Sequence, residues 1–405
     1  MSSNEPILSG LRVLDLSHQY SGAMAAALLA DLGADVIAVE HPKGSPIRTM
    51  LPKKDGESLW WKVVQRGKRS ITLNLSDPRG RSMALELMKD CDIVIENFRP
   101  GTMEKWSLGP QDLEAAGLNL VFLRISGFGQ TGPMRQRPGF GTVAEAMSGF
   151  AQLNGFPDGP PVFPSTTLAD GVTAVFGAFG TLAAYVSQMR KDRPGIQVVD
   201  MALFEALFRL IPTQVAAFNQ LGTIPKRPGN FLSSHGVLRN LYRTGDDRYL
   251  CISAVGAVAI RRVLVAAGLA DLIAQVDSGV VASDARKFED FLIETNRQLE
   301  AWMASLGYDE VSDKLQAADV VFNRIYDASD IVADEHYKER EDLISVSDTV
   351  LGPVLMQGIV PKFQGVHHEV RHAGQQLGAD NRDVLGKRFN LTEDDLEAMK
   401  LSGVV

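Results

Sequence analysis

The sequence predicts an α/β protein in which residues 1–200 form a doubly wound domain around a mostly parallel sheet, with a smaller domain after it. Three observations carry this. Short β-branched runs alternate with helical stretches in a βαβ rhythm. At 405 residues the chain exceeds the size at which one hydrophobic core keeps growing. A loop-rich passage, 222–236, with Pro225, Pro228, Gly229 and the pair Ser233-Ser234, marks a change of composition and a domain boundary.

Strands are expected at 11–16, 34–40, 70–75, 92–97 and 120–126, with helical patterns at 23–32 and 78–89 between them. A Pro/Gly turn cluster, 157–164, delivers the chain to a Gly/Ala-rich apolar run headed by Asp170. A strand at 196–201 and an apolar helix at 202–218 follow. The second domain opens with a strand at 249–254 and continues in helices to about residue 325. Near the end, 357–363 reads as strand-like, and 392–399 as a short helix with Thr392 as N-cap and Asp395 completing a weak capping box.

Composition bounds the function. With 45% apolar and 22% charged residues the chain matches a globular enzyme rather than a disordered or fibrous protein. The apolar run 172–186 is read as too short and too rich in Gly and Ala to span a bilayer, and no signal-type segment opens the chain, so a cytoplasmic protein without membrane attachment is expected. Cys91 and Cys251 lack metal or C-x-x-C spacing and read as buried, reduced thiols. A net charge of −8 argues against a nucleic-acid surface.

Ligands of doubly wound sheets sit outside the carboxyl ends of the strands, which makes the loop from Asp15 to Gly22 a site candidate. It has no G-x-G-x-x-G, which argues against NAD or FAD; Gly22 fits tight helix packing. Lys68, Arg69, Arg99, Lys105, Arg135 and Arg137, if gathered on that edge, would neutralise a multiply phosphorylated ligand. Asn97-Phe98-Arg99-Pro100-Gly101 offers donors, a flat face for a base and a rigid turn. Asp170, in Thr166-Thr-Leu-Ala-Asp-Gly-Val172, reads either as a helix N-cap or as a carboxylate held ionised by helix-end charge and aimed as a nucleophile. There is no G-x-S-x-G, Walker A or H-E-x-x-H motif, and the seven histidines lack ligand spacing.

In order and spacing these residues resemble the class III CoA-transferases, the family of formyl-CoA:oxalate and carnitine CoA-transferases. The likeness runs through Leu11-Arg-Val-Leu-Asp-Leu-Ser17, Leu32-Gly-Ala-Asp-Val-Ile-Ala-Val-Glu40, Lys68-Arg-Ser-Ile-Thr-Leu73, Val94-Ile-Glu-Asn-Phe-Arg-Pro-Gly-Thr102, Arg137-Pro-Gly-Phe140, the Asp170 segment and Leu377-Gly-Ala-Asp-Asn-Arg-Asp-Val-Leu385. The resemblance implies a large Rossmann-like domain built from both chain ends (1–200 and 330–405), a smaller α+β domain (225–325), linkers at 201–224 and 326–329, and an interlocked homodimer. It makes Asp170 the nucleophile that carries CoA from a short-chain acyl-CoA, such as succinyl-CoA, to a small organic acid. It assigns CoA contacts to Tyr20, Ser21, His41, Leu73, Asn74, Leu75, Ser76, Asn97, Phe98, Arg99, Lys105, Arg137, Pro138, Gly139 and Phe140. Coenzyme A is then a substrate, with no metal or prosthetic group. Ser234, His235 and Gly236 stand where some members carry a glycine-rich loop over the substrate.

The chain departs from the family at Gly141, a position often acidic, and at His41, where formyl-CoA transferase has Arg. Two other readings share the fold. An α-methylacyl-CoA racemase would carry a histidine after the Pro-Gly pair, where this chain has Phe140. A CoA-binding homologue without turnover would have no use for Asp170. A CoA shift between the two carboxyls of one diacid would use the same nucleophile.

Overall fold

Runs of β-branched and aliphatic residues form six strands: β1 (Arg12–Asp15), β2 (Asp35–Glu40), β3 (Arg69–Thr72), β4 (Ile93–Glu96), β5 (Val121–Ser126) and β6 (Gln197–Ala202). All pair in parallel, in the order β3-β2-β1-β4-β5-β6. The order reverses between β1 and β4, and this is the switch point beyond which such sheets take their ligands. The structure, a computed structural model, describes residues 5–190, 194–231 and 236–405. Ser234 and His235 lie outside the described residues.

The helices of this part are α1 (Tyr20–Asp31), α2 (Leu59–Val64), α3 (Pro78–Met88), α4 (Thr102–Lys105), α5 (Gly141–Met147), α6 (Leu168–Met189), α7 (Leu203–Arg209) and α8 (Gln214–Leu221). Successive strand residues face opposite ways. Val13, Ile93 and Leu123 therefore meet Ala25 and Leu29 of α1 and Ala174 and Ala178 of α6 in one core. Leu14, Val94 and Phe122 meet Met83 and Leu87 of α3 in another. The apolar run is longer than the sequence suggested: α6 has 22 residues and is, by length and composition alone, able to cross a membrane. Here its small residues are spent on packing against α1 and the sheet.

The chain divides into two compact units, one comprising residues up to 150, 163–222 and 336–405, the other 151–162 and 223–335. Residues 201–222, expected as linker, belong to the first unit. The single helix expected at 202–218 is two, α7 and α8, because Pro212 has no N–H to donate and disfavours a helical residue before it. The strand expected at 357–363 is instead the end of a hairpin, β10 (Leu343–Asp348) with β11 (Gly352–Gln357), which stops short of Pro361. Residues from the far end of the sequence close the β3 edge: Ser70 N–H donates to Asp380 Oδ2 at 2.6 Å and Thr72 N–H to Asn381 Oδ1 at 2.8 Å. Trp61 Nε1 donates to the Gln375 carbonyl at 2.8 Å. The second unit has an antiparallel sheet, β7 (Val237–Arg243), β8 (Tyr249–Val255) and β9 (Phe322–Arg324), whose Leu238, Leu250 and Ile252 pack with Ile260, Phe288 and Leu299.

Two of the basic residues read as phosphate ligands serve the fold. Lys68 is fully buried, 2.9 Å from Asp15 Oδ2, and donates to the Ala23 carbonyl at 2.6 Å, which pins the first turn of α1 to β1. Arg69 begins β3, at the edge away from the ligand side, and pairs with Asp35. Replacing Lys68 by methionine strands a buried carboxylate and is expected to cost about 3–5 kcal/mol in urea unfolding.

Candidate active site

The loops after β1 and β4 meet at the switch point. Asn97 Oδ1 accepts from His18 N–H at 3.1 Å and ties the two loops together. Gly22 permits that approach: a Cβ there would stand 2.5 Å from Ser17 Cβ. The first turn of α1, with Ser21 buried in it, has no side-chain cap and faces this junction with free amides.

A cavity of about 450 Å³ and another of about 400 Å³ open on this edge. The smaller is lined by His41, Leu73, Asn74, Leu75, Ser76 and Phe98, six of the residues expected to hold CoA. Its aromatic wall runs from His18, stacked on Phe98 with ring centres 5.0 Å apart, to Trp106, edge-on to Phe98. Burial lowers the His18 pKa, so the ring is neutral near pH 7, and its Nδ1 is buried without a hydrogen-bond partner. An unmet ring nitrogen beside a flat aromatic face suits a heteroaromatic base. His41 is exposed, and its Nδ1 accepts from Lys43 N–H at 3.0 Å.

The Phe98 turn is braced from below. Glu96 accepts from Phe98 N–H at 2.6 Å, and Arg124 bridges Glu96 (2.8 Å) and Glu104 (2.6 Å). Gly101, at φ 90, turns the chain into α4. This brace leaves Arg99 and Lys105 exposed on the far side. Arg135 and Arg137 are exposed as well, Arg137 lying over the Phe128 ring. Among the described residues none of these four cations is in an ion pair, which leaves them available to phosphate.

Asp170 is the third residue of α6, so it is not the N-cap; that position belongs to Thr167, whose hydroxyl makes no capping bond. Arg137, Pro138, Gly139 and Phe140 lead into α5, which brings Gly141 against the carboxylate: a Cβ on Gly141 would lie 2.1 Å from Asp170 Oδ2. Tyr20 approaches from α1, its hydroxyl 3.8 Å from where a Cβ on Gly171 would stand. The larger cavity runs from Tyr20, Trp60 and Thr166 along Met24 and Leu28 of α1 to Asp31 and Arg66 and is mainly apolar. The expectation that helix-end charge holds Asp170 readily ionised is corrected. Burial, and then the charge of Glu145 on α5, push its pKa up to about 6; these outweigh a helix-end effect of about 0.3–1 kcal/mol.

Trp106 and Glu145 were missed in the sequence, and His18 was included only as part of the Asp15 to Gly22 loop, not singled out. A lone loop histidine gives no signal, but Glu145 stands four residues after Gly141 on the same helical face. Gly236, the described residue of the expected substrate loop, takes a left-handed φ of 77 just before β7 in the second unit. Both cysteines are free thiols, and no group of three or more metal-ligating side chains occurs among the described residues.

Residues 8–381 match CoA-transferase family III. The chain is 36% identical over 409 residues to the succinyl-CoA–D-citramalate CoA-transferase of Chloroflexus aurantiacus, a match that covers 100% of both chains. It is 33% identical over 402 residues to the beta subunit of that organism's succinyl-CoA–L-malate CoA-transferase, over 98% of each. A solved structure of a CAIB/BAIF family protein from Brucella suis aligns with a TM-score of 0.82 and 26% identity, over 95% of this chain and 100% of that one. The matched span takes in β1, the Asn97 turn and Asp170 alike, and the chain belongs to CoA-transferase family III.

Proposed function

We propose that the protein moves CoA from a short-chain acyl-CoA, succinyl-CoA as in its relatives' names, to a small carboxylic acid through a covalent intermediate on Asp170. The observation that carries this reading is the seat of Asp170: in the first turn of α6, a carboxylate that pairs with no cation among the described residues, in the same unit as a flat-walled cavity and a set of basic residues that form no ion pair among them. An Asp170 oxygen attacks the thioester carbonyl; the C–S bond breaks, leaving a mixed anhydride and CoA thiolate. The thiolate attacks the aspartyl carbon and releases the donor acid, leaving an aspartyl-CoA thioester. The acceptor carboxylate repeats the two steps in reverse and restores Asp170. No electrons change hands, and this chemistry asks for no prosthetic group.

In this reading the adenine lies against His18, Phe98 and Leu73 to Ser76. Arg99, Lys105 and Arg137 meet the phosphates, and the thioester end passes Ser21 and Tyr20 to Asp170. A CoA shift within one diacid would follow the same path and would need no second acid. The α6 face carrying Val175 (56% exposed) and Phe179 (68%), together with exposed Phe218 and Leu221 on α8, supports association with a second copy, which this reading takes as the homodimer; the native mass in solution tests it. Racemase chemistry is not favoured, since Phe140, 65% exposed, offers no proton carrier.

The decisive experiment mixes the protein with succinyl-CoA, traps with hydroxylamine or borohydride, and locates the change by mass spectrometry. A donor-dependent modification at Asp170 is expected. Tight CoA binding with no modification would overturn the covalent mechanism. Arg99→Ala and Lys105→Ala are each expected to weaken CoA binding about two- to fivefold at low ionic strength, an effect that shrinks as salt screens exposed charge. Calorimetry across a salt series reads this.

A further inference from the structure

We propose that Glu145 is a positioning residue for the transfer: a buried negative charge, left without a cation, that favours every state in which Asp170 is acylated. The inference rests on Asp170 being the nucleophile.

Five acidic residues are buried among the described residues: Asp15, Asp31, Glu40, Glu96 and Glu145. Four hold a cation, Asp15 at 2.9 Å from Lys68, Asp31 at 2.6 Å from Arg66, Glu40 at 2.6 Å from Arg48 and Glu96 at 2.8 Å from Arg124. That is the rule for buried charge, because leaving water costs several kcal/mol per ion unless a partner compensates. Glu145, 3% exposed, forms no ion pair among the described residues. Among the described residues its carboxylate accepts one hydrogen bond, from Ala169 N–H at 3.3 Å. That amide is an orphan of the first turn of α6, which Thr167 leaves uncapped. Glu145 therefore caps from a neighbouring helix the turn that carries Asp170.

Gly141 and Glu145 are one helical turn apart and share a face of α5. Gly141 admits the Asp170 carboxylate, and Glu145 sets a second carboxylate near it. The other groups facing Asp170 do not offset that charge. Tyr20 on α1 is neutral, its pKa raised by burial. On α7, Glu205 is exposed and turned back toward Ala202 N–H at 3.4 Å. Arg135 and Arg137, ahead of α5, are exposed.

The charge balance gives Glu145 its effect. Free enzyme holds two nearby carboxylates. Transfer converts the Asp170 carboxylate plus acyl-CoA into neutral aspartyl-CoA thioester plus the free acid anion, so one negative charge leaves with the product. The anhydride is neutral as well. Glu145 makes and breaks no bond; it penalises only the free carboxylate. It also raises the Asp170 pKa, so the ionised nucleophile is lost as pH falls through about 6, and removing the Glu145 charge moves that loss to lower pH.

Glu145→Gln keeps an oxygen for Ala169 N–H and removes the charge. At a fixed succinyl-CoA to succinate ratio, the equilibrium constant for the Asp170 thioester is expected to fall about tenfold, and the acid limb of kcat/KM to move down by about one pH unit. Glu145→Asp, which keeps the charge and loosens the cap, is expected to hold the limb where the wild type has it. A wild-type limb and thioester level in Glu145→Gln overturn the inference, as does a limb in Glu145→Asp that follows Glu145→Gln. Absence of any Asp170 adduct in the wild type is a different result and overturns the covalent reading itself.

Discussion

Replacing Asp170 by asparagine is expected to abolish CoA transfer, lowering kcat by on the order of 10⁴ or more, while CoA affinity stays near wild type. The amide has nearly the shape of the carboxylate and is a poor nucleophile. Stability gives an independent check. The folded protein holds Asp170 above its ordinary 3.8, at about 6, so its ionisation carries a stability penalty that is absent below pH 4 and full above pH 6. The variant should therefore melt higher than wild type at pH 7 and lose that advantage as pH falls through this window. A variant that retained most of its turnover would sink the covalent mechanism.

The second large effect is expected at Gly141. Its φ is not positive, so alanine is conformationally acceptable, and in a helix it is intrinsically favoured by up to about 1 kcal/mol. Yet the added methyl would stand 2.1 Å from Asp170 Oδ2 and must push the carboxylate aside. A shift of about 1 Å in a reacting group costs about a hundredfold. Gly141→Ala should therefore lower kcat by about that factor with an unchanged or raised melting temperature, read by steady-state kinetics and calorimetry on the same preparation. Loss of activity together with loss of stability would point to disrupted packing of α5 instead.

The parallel sheet was legible because β1 to β6 are local apolar runs, and local patterns survive without knowledge of partners. The Asn97 turn and Asp170 were legible for a similar reason, since turn residues and a lone acid in a Gly/Ala-rich run stand out. What escaped depends on pairs far apart in sequence. Lys68 reads as a surface cation until Asp15, 53 residues away, is seen to bury it. Glu145 is an ordinary helix residue until α6 is laid against α5. His18 lies in the loop that the strand order marks as a site, but only its stacking on Phe98 gives it a role of its own. The hairpin of β10 and β11 was not read at all; a single strand was placed at 357–363, beyond Gln357, where the ladder ends ahead of Pro361.

The seal on the β3 edge bears on how the protein comes off the ribosome. Ser70 and Thr72 wait for Asp380 and Asn381, and Trp61 waits for Gln375, each more than 300 residues later. At about 5–20 residues per second, the nascent sheet would stand with an open edge and an uncovered tryptophan for roughly 15 s to a minute. The second unit, whose residues run from 223 to 335 apart from the 151–162 segment, is synthesised inside that interval. Translation thus finishes the interrupting unit before the interrupted one, and the nascent chain should depend on holdase chaperones for β3 far more than for β7 to β9.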